Sequence, residues 1–325
     1  MRVPTLPLLL VLLVTCGCHG AWIASNGSAV VHRLAASRPH TQWISEFDEG
    51  STAHSMLTAL PGLLEFARAQ GLNVGAAYQR IDSIPGPVSW IVIAADPLTV
   101  TLHLWNFPLV GRVPYKGYRF RHHAQAEADH LNSAGWQADV LPVPAWSSLG
   151  WFPEPVPRAL LELPEYLWAT TLFHELVHRT IHLAGQPQLN EGLATFLADR
   201  LAQMWLVERH GPESELARRQ ILYQRDQGRL HRILCQYRDR LLEGDDPERS
   251  RQQFLEQLEA ETWDLVSAEQ LAPQNWSLAR VLLAGVYDPA AGEWQRIWQE
   301  SAHSVPNMII QIKKELSGTN PEGGS

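Results

Sequence analysis

The chain has 325 residues, 45% hydrophobic and 18% charged, with 34 acidic against 26 basic side chains and a formal charge of −8. That composition is globular and carries no fixed-period repeat, which excludes collagen-like, solenoid and low-complexity architectures. With lysine only at Lys116, Lys313 and Lys314, no broad basic field is on offer, so nucleic acid is excluded as the expected partner.

At the amino terminus, Val3 to Val14 is a mostly apolar run behind Arg2, followed by the small residues Thr15 to Gly17. This is the layout of an export signal, and it falls short of the roughly 20 apolar residues that a membrane span needs. A cysteine closing such a run resembles the bacterial lipobox, in which the thiol is acylated and cleavage falls just before it. Residues 1–17 are therefore expected to be a lipoprotein signal peptide. Cys18 follows Gly17 and is the expected lipidation site, with Cys16 as the alternative. Only Cys235 would remain as a free thiol, leaving no internal disulfide in the mature chain.

Further along, residues 21–72 show apolar spacing of three and four, with Val30, Val31 and Leu34 and then Leu57, Leu60, Leu63, Leu64 and Phe66, so helix is expected, with a break or first turn at Pro61. Ser89 to Ala95 and Val100 to Phe107 are β-branched and aromatic runs around Asp96-Pro97, and read as two neighbouring strands. A third strand is expected at 136–143, with helix over 122–134. Residues 160–205 and 213–269 are helical in pattern, and the Arg-, Glu- and Gln-rich stretch 213–261 reads as solvated helix faces. Sheet first and helices after predict an α+β fold with a small, mainly antiparallel sheet and a helical C-terminal half. The expected layout is an N-terminal α+β region over 18–159, a helical metal-binding region over 160–316 and a tail over 317–325.

Within the helical half, Leu172-Phe-His174-Glu175-Leu-Val-His178 carries H-E-x-x-H. Positions i and i+4 share a helix face about 5–6 Å apart, so two imidazoles can reach one zinc ion from adjacent turns. Glu175 then stands where it can take a proton from an attacking water and pass it to a leaving amine. A catalytic zinc takes three protein ligands. The metzincin extension requires Gly and His where this chain has Ile181 and Ala184, which excludes that class. His182 lies one turn on but cannot easily curl around the ion from the same helix. Gly185 can end the first helix and Pro187 prevents its continuation, so Leu189 onward is expected to start a second helix running back alongside. A carboxylate near that start returns to the metal, and Glu191 is the expected third ligand, with Asp199 as the alternative or as an acceptor for an imidazole N–H. Gly192, Ala194, Thr195 and Ala198 are small enough to let the helices approach, and Asn190 can hold the loop through its side chain or act as a cap.

H-E-x-x-H followed by a glutamate on the next helix is similar to the gluzincin arrangement, though the spacing of twelve residues between His178 and Glu191 is short for the thermolysin-like and large aminopeptidase families. The stretches Cys18 to Trp22, Leu34 to Pro39, Phe107 to Gly111, Tyr115 to Tyr118, Pro144 to Phe152, Phe173 to His178 and Asn190 to Phe196 resemble a bacterial family of lipoproteins described as predicted zinc aminopeptidases. The resemblance implies a zincin-like fold, Zn2+ on His174, His178 and Glu191, Glu175 as base, peptide substrates, and a lipid anchor facing the periplasm, most simply at the outer membrane. The family's bracketing cysteines are replaced here by Asn106 and Arg112, and its Asn-Asn-Ala segment by Ser277-Leu278-Ala279. Tyr287 matches by position the gluzincin tyrosine that stabilises an oxyanion, although a core tyrosine is equally compatible with its surroundings. Tyr115 and Tyr118 are weaker candidates for substrate contact, and Trp146, Trp151 and Phe152 could wall a cleft.

The expected function is a zinc-dependent peptidase of the envelope, an aminopeptidase by resemblance. The alternatives are an envelope endopeptidase and a non-catalytic, zinc-containing lipoprotein that binds partners through a Trp-rich surface.

Overall fold

The computed structural model describes residues 28, 30–107, 111–145, 152–183, 186–271, 276–284 and 291–318. The lipidation candidates Cys16 and Cys18, together with Trp146, Trp151, Gly185, Tyr287 and residues 319–325 of the expected tail, lie outside them; Ser317 and Gly318 end a helix instead. The architecture is α+β with small antiparallel sheets. A helix over 30–36 (α1), strand β1 (Arg38–Pro39) and helix α2 (His40–Ile44) precede a long helix α3 (Thr52–Ala69). Ser51 caps α3 by accepting from the His54 N–H at 3.2 Å.

Pro61 does not break α3, contrary to expectation: it lies inside the 18-residue helix. Its ring is exposed, while Met56, Leu57, Leu60 and Leu63 on the other face are buried at 1% exposure or less. Burial of that leucine face outweighs the missing N–H and the local clash.

Strand β2 (Arg80–Ile81) pairs with β1. The main sheet is built on β3 (Ser89–Asp96), which pairs antiparallel with β8 (Gln137–Val143) from Ser89↔Val143 to Ala95↔Gln137. Along its other edge run β7 (Lys116–Tyr118), from Trp90↔Tyr118 to Val92↔Lys116, and β4 (Thr101–Leu102). The expected second strand is therefore divided. After β4, the His103 N–H still reaches the Ala94 carbonyl at 2.8 Å, and the chain then turns to pair β5 (Trp105–Phe107) with β6 (Gly111–Val113) in a separate ribbon. Side chains of β3 alternate as a period of two requires. Val92 and Ala94 pack on helix α4 (Arg121–Ser133), and Ile93 and Ala95 pack on Ala279, Leu282 and Leu283.

Downstream, helices α5 (Glu165–Thr180) and α6 (Pro187–His210) form the most extensive helix pair of the molecule. Helix α7 (Glu215–Leu242) and helix α8 (Pro247–Ala260) follow as a hairpin. Asp226 of α7 accepts backbone N–H groups of Asp264 and Leu265 at 2.9 and 2.7 Å, tying the segment after α8 to the hairpin. The short helix α9 (Ala268–Leu271), then α10 (Leu278–Ala284), α11 (Ala291–Glu300) and α12 (Val305–Gly318), complete the chain. Arg229 and Arg232 pair with Glu261, and Arg229 also with Asp264, as expected of solvated helix faces.

The largest core joins α3, α5, α6 and the C-terminal helices, with Phe66 edge-on to Phe173 at 5.8 Å and Trp168 beside Trp205 at 5.9 Å. Trp43, Trp168, Trp205 and Trp294 are buried, and none of the described tryptophans is exposed.

Restoring the α3 hydrogen bond with Pro61→Ala is expected to raise stability by about 1–3 kcal/mol. Chemical denaturation measures it, and a lowered midpoint would mean that the proline itself is required by the packing of the helix.

Candidate metal centre

Helix α5 presents its apolar face, with Trp168, Ala169, Leu172, Phe173, Leu176 and Val177 all buried, to the core. His174 and His178 are half-buried beside that face. The helix ends at Thr180, with Ile181 extended (φ −136°, ψ 127°), earlier than a stop at Gly185 would give. Pro187 opens α6, where a missing N–H costs nothing because the first-turn donors have no partner in the helix anyway.

Asn190 holds the connection. Its Oδ1 accepts from the Leu183 N–H at 2.7 Å, and its Nδ2 donates to the carbonyls of Leu183 at 2.8 Å and Gln186 at 3.0 Å. Asn190 is buried, so these bonds satisfy loop groups that water does not reach. Gly192, Ala194 and Ala198 face the interior and permit the close approach of α6 to α5; Thr195 is exposed and takes no part in it.

Glu191 thereby arrives opposite the two imidazoles. The His174 and His178 Nε2 atoms stand 3.1 Å apart, with Glu191 Oε2 3.3 Å from the first and Oε1 3.6 Å from the second. These are the residues among those described whose donor atoms cluster tightly enough to share one ion. A tetrahedral ion with bonds of about 2.0–2.1 Å has donor–donor edges of about 3.3–3.4 Å, and two nitrogens plus a carboxylate suit a catalytic zinc. The donor set and its spacing fit such an ion.

Charge around the cluster is uneven. Burial would raise the Glu191 carboxyl, but hydrogen bonds and charge from His174 and His178 outweigh it and hold the group well below the usual carboxylate range. Glu175 moves the other way, raised chiefly by burial and further by Glu191 and Glu154, against the two histidines. Burial opposes charge on His178, yet Glu191 and Glu175 together raise it.

Asp199 stays out of the donor cluster. It is half-buried two turns along α6, near enough to His174 to feel its charge, and burial raises it to about 6. His182 lies past the end of α5, is exposed, and does not join the cluster. Tyr118 turns to Glu127 and the α4 side of the sheet. Tyr115 packs instead against Ile93, Ala279 and Leu282, and its phenol is raised to about 12 by burial, then by the charges of Glu191 and Glu175. Phe152 is exposed, and its carbonyl accepts from Arg179 at 3.0 Å.

Three residues that sequence reasoning passed over sit behind Glu175. Arg179, directly after His178, pairs in a buried bridge with Glu154, and its Nε donates to the Asn73 carbonyl at 3.2 Å. Gly75 (φ +51°) lies under that guanidinium, where a Cβ would stand 3.2 Å from an arginine nitrogen. Tyr78 is buried with a left-handed backbone (φ 61°), a conformation costing roughly 1–3 kcal/mol at a bulky residue. Its charged neighbours are Glu175, Glu154 and Arg179. The sequence carries no period or motif at Tyr78, Glu154 or Arg179 that could have flagged them.

This α+β chain sets H-E-x-x-H against a glutamate on the next helix, and His174, His178 and Glu191 form a group that could hold a metal ion. A family model described as "Putative aminopeptidase" matches residues 21–322, and the chain belongs to that family. Membership supports peptidase activity and, with it, peptide substrates. No curated protein and no solved structure matches the chain.

Asn190→Ala leaves the Leu183 and Gln186 backbone groups without their buried partner and is expected to cost about 2–4 kcal/mol in a urea titration. A loss below 0.5 kcal/mol, roughly the size of an ordinary surface substitution, would remove the turn-holding role.

Proposed function

We propose that the chain is a zinc-dependent aminopeptidase of the bacterial cell envelope. The observation that carries this reading is the convergence of His174, His178 and Glu191 on donor spacings suited to one zinc, with Glu175 on the adjacent helical position. Zinc held there would supply Lewis acidity, lowering the pKa of water toward neutrality and polarising a peptide carbonyl.

The remaining chemistry falls to the chain. Glu175 takes the proton of the attacking water and returns it to the leaving amine; its burial, which raises it, suits a group that must both accept and donate. Glu191 remains ionised between two imidazoles and serves as the third ligand. Tyr115, a neutral phenol held above the usual range beside both glutamates, supports a role in orienting the substrate carbonyl from the sheet side. Tyr287 retains the oxyanion role as an expectation from family position.

The test uses purified protein and free-amine peptides. Glu191→Ala is expected to lose stoichiometric zinc, while Glu175→Gln keeps zinc and loses about 10²–10⁴-fold in kcat. Full zinc in the first variant, or undiminished turnover in the second, would defeat the assignment. N-acetylated peptides are expected to resist; their cleavage would make the enzyme an endopeptidase.

The leader over residues 1–17 and the cysteine after Gly17 support export and a lipid anchor at Cys18. No described helix is long and apolar enough to cross a membrane. Metabolic labelling with an alkyne fatty acid is expected to mark the intact chain but not Cys18→Ser. Label kept there and lost in Cys16→Ser shifts the site, and an unlabelled wild-type chain removes the anchor.

A further inference from the structure

Tyr78 carries features that packing alone does not require. Its ring is 1% exposed, its backbone is left-handed, and its hydroxyl finds no hydrogen-bond partner among the described residues. Phenylalanine would fill the same volume without burying an unpaired hydroxyl. The strained position is nonetheless firmly built. The Tyr78 N–H donates to the Glu154 carbonyl at 2.7 Å, the Val156 N–H to Arg80 at 2.8 Å, and the Asp82 N–H to Val156 at 2.9 Å, stitching segment 78–82 to 154–156. Of the charged groups around the ring, Arg179 and Glu154 already hold each other. Glu175, one turn before Arg179 on helix α5, is the other carboxylate whose charge reaches the ring.

We propose that Tyr78 is a positioning residue for Glu175: its hydroxyl donates from within the core to one oxygen of that carboxylate as the side chain turns into its working rotamer. The opposite oxygen is then aimed at the site. A carboxylate accepts at both oxygens, so a buried donor on one of them fixes orientation without occupying the one that moves the proton. A left-handed tyrosine fits this role, because backbone strain of this kind persists where the surroundings enforce it and collects around functional groups. The inference rests on Glu175 acting as the proposed base.

The test is Tyr78→Phe, which keeps the ring, in the zinc-loaded full chain and in the apo chain. In the loaded enzyme, kcat on free-amine peptides is expected to fall at least tenfold with KM within about twofold, zinc content unchanged, and Tm unchanged or raised. In the Glu175→Gln background the same substitution is expected to lower the residual kcat no further. A second readout needs no turnover: in the apo chain the Tm shifts of Tyr78→Phe and Glu175→Gln are expected to be non-additive. Wild-type kcat in Tyr78→Phe, a lowered Tm, or losses and shifts that simply sum with those of Glu175→Gln would overturn the role. A wild-type chain with no peptidase activity would instead count against the functional reading, and additive apo Tm shifts would then still overturn the Tyr78 assignment by themselves.

Discussion

The antiparallel contact of helices α5 and α6 is the constraint on which the rest of the site depends. Two histidines four residues apart define a single edge of a coordination polyhedron, and no residue further along the same helix can supply a third donor facing them. The chain must reverse, and it does so between Thr180 and Pro187. Glu191 comes within 3.3–3.6 Å of both imidazoles, and Gly192, Ala194 and Ala198, buried on the same helix, are small.

The helix pair is braced from behind. Arg179 extends from the last turn of α5 to the Asn73 and Phe152 carbonyls and to Glu154, so one guanidinium ties two separate loops to the end of the helix that carries His174 and His178. Burying an ion pair brings little net stability, since desolvation offsets the attraction, but removing one partner leaves a stranded charge at a cost of about 3–5 kcal/mol. Such a pair acts more as a positional lock than as a stabiliser. The Asn73 N–H donates to the Thr180 hydroxyl at 2.9 Å and its side chain to the Arg179 carbonyl, completing the hold on the C-terminal end of α5.

How far the sequence revealed this depends on how local each determinant is. The H-E-x-x-H helix, the return helix and the choice of Glu191 over Asp199 for the donor cluster follow from spacing and from a Pro/Gly turn, all within some twenty residues. Helix α4 and strand β8 were legible for the same reason, because their periods are internal. Pro61 misled because propensity is a local quantity, and the leucine face of α3 is buried by partners that no local window contains. The division of β4 from β5 was hidden because a continuous β-branched and aromatic run does not record where its partner strand changes. Tyr78, Glu154 and Arg179 were invisible altogether: their meaning lies in contacts across about 25 to 100 residues of chain, and each residue taken singly resembles an ordinary core or surface position.

The two glutamates of the site show why position along a helix cannot by itself assign roles. Both are half-buried, and in both burial favours the neutral form. Glu191 faces two imidazoles 3.3 and 3.6 Å away, and their proximity and charge reverse the effect of burial. Glu175 leans toward Glu191 and Glu154, whose negative charges add to burial. Environments that drive two like groups in opposite directions are a signature of divided labour. Under the proposed function, a carboxylate whose charge is favoured suits a ligand, whereas one whose charge is less secure suits a proton carrier. If Glu175 is the proposed carrier, the same logic gives a reason for steadying it from the core side. A group that must change protonation state cannot be fixed by a strong ion pair without losing that freedom, and a neutral donor such as a buried phenol can orient it without imposing a charge.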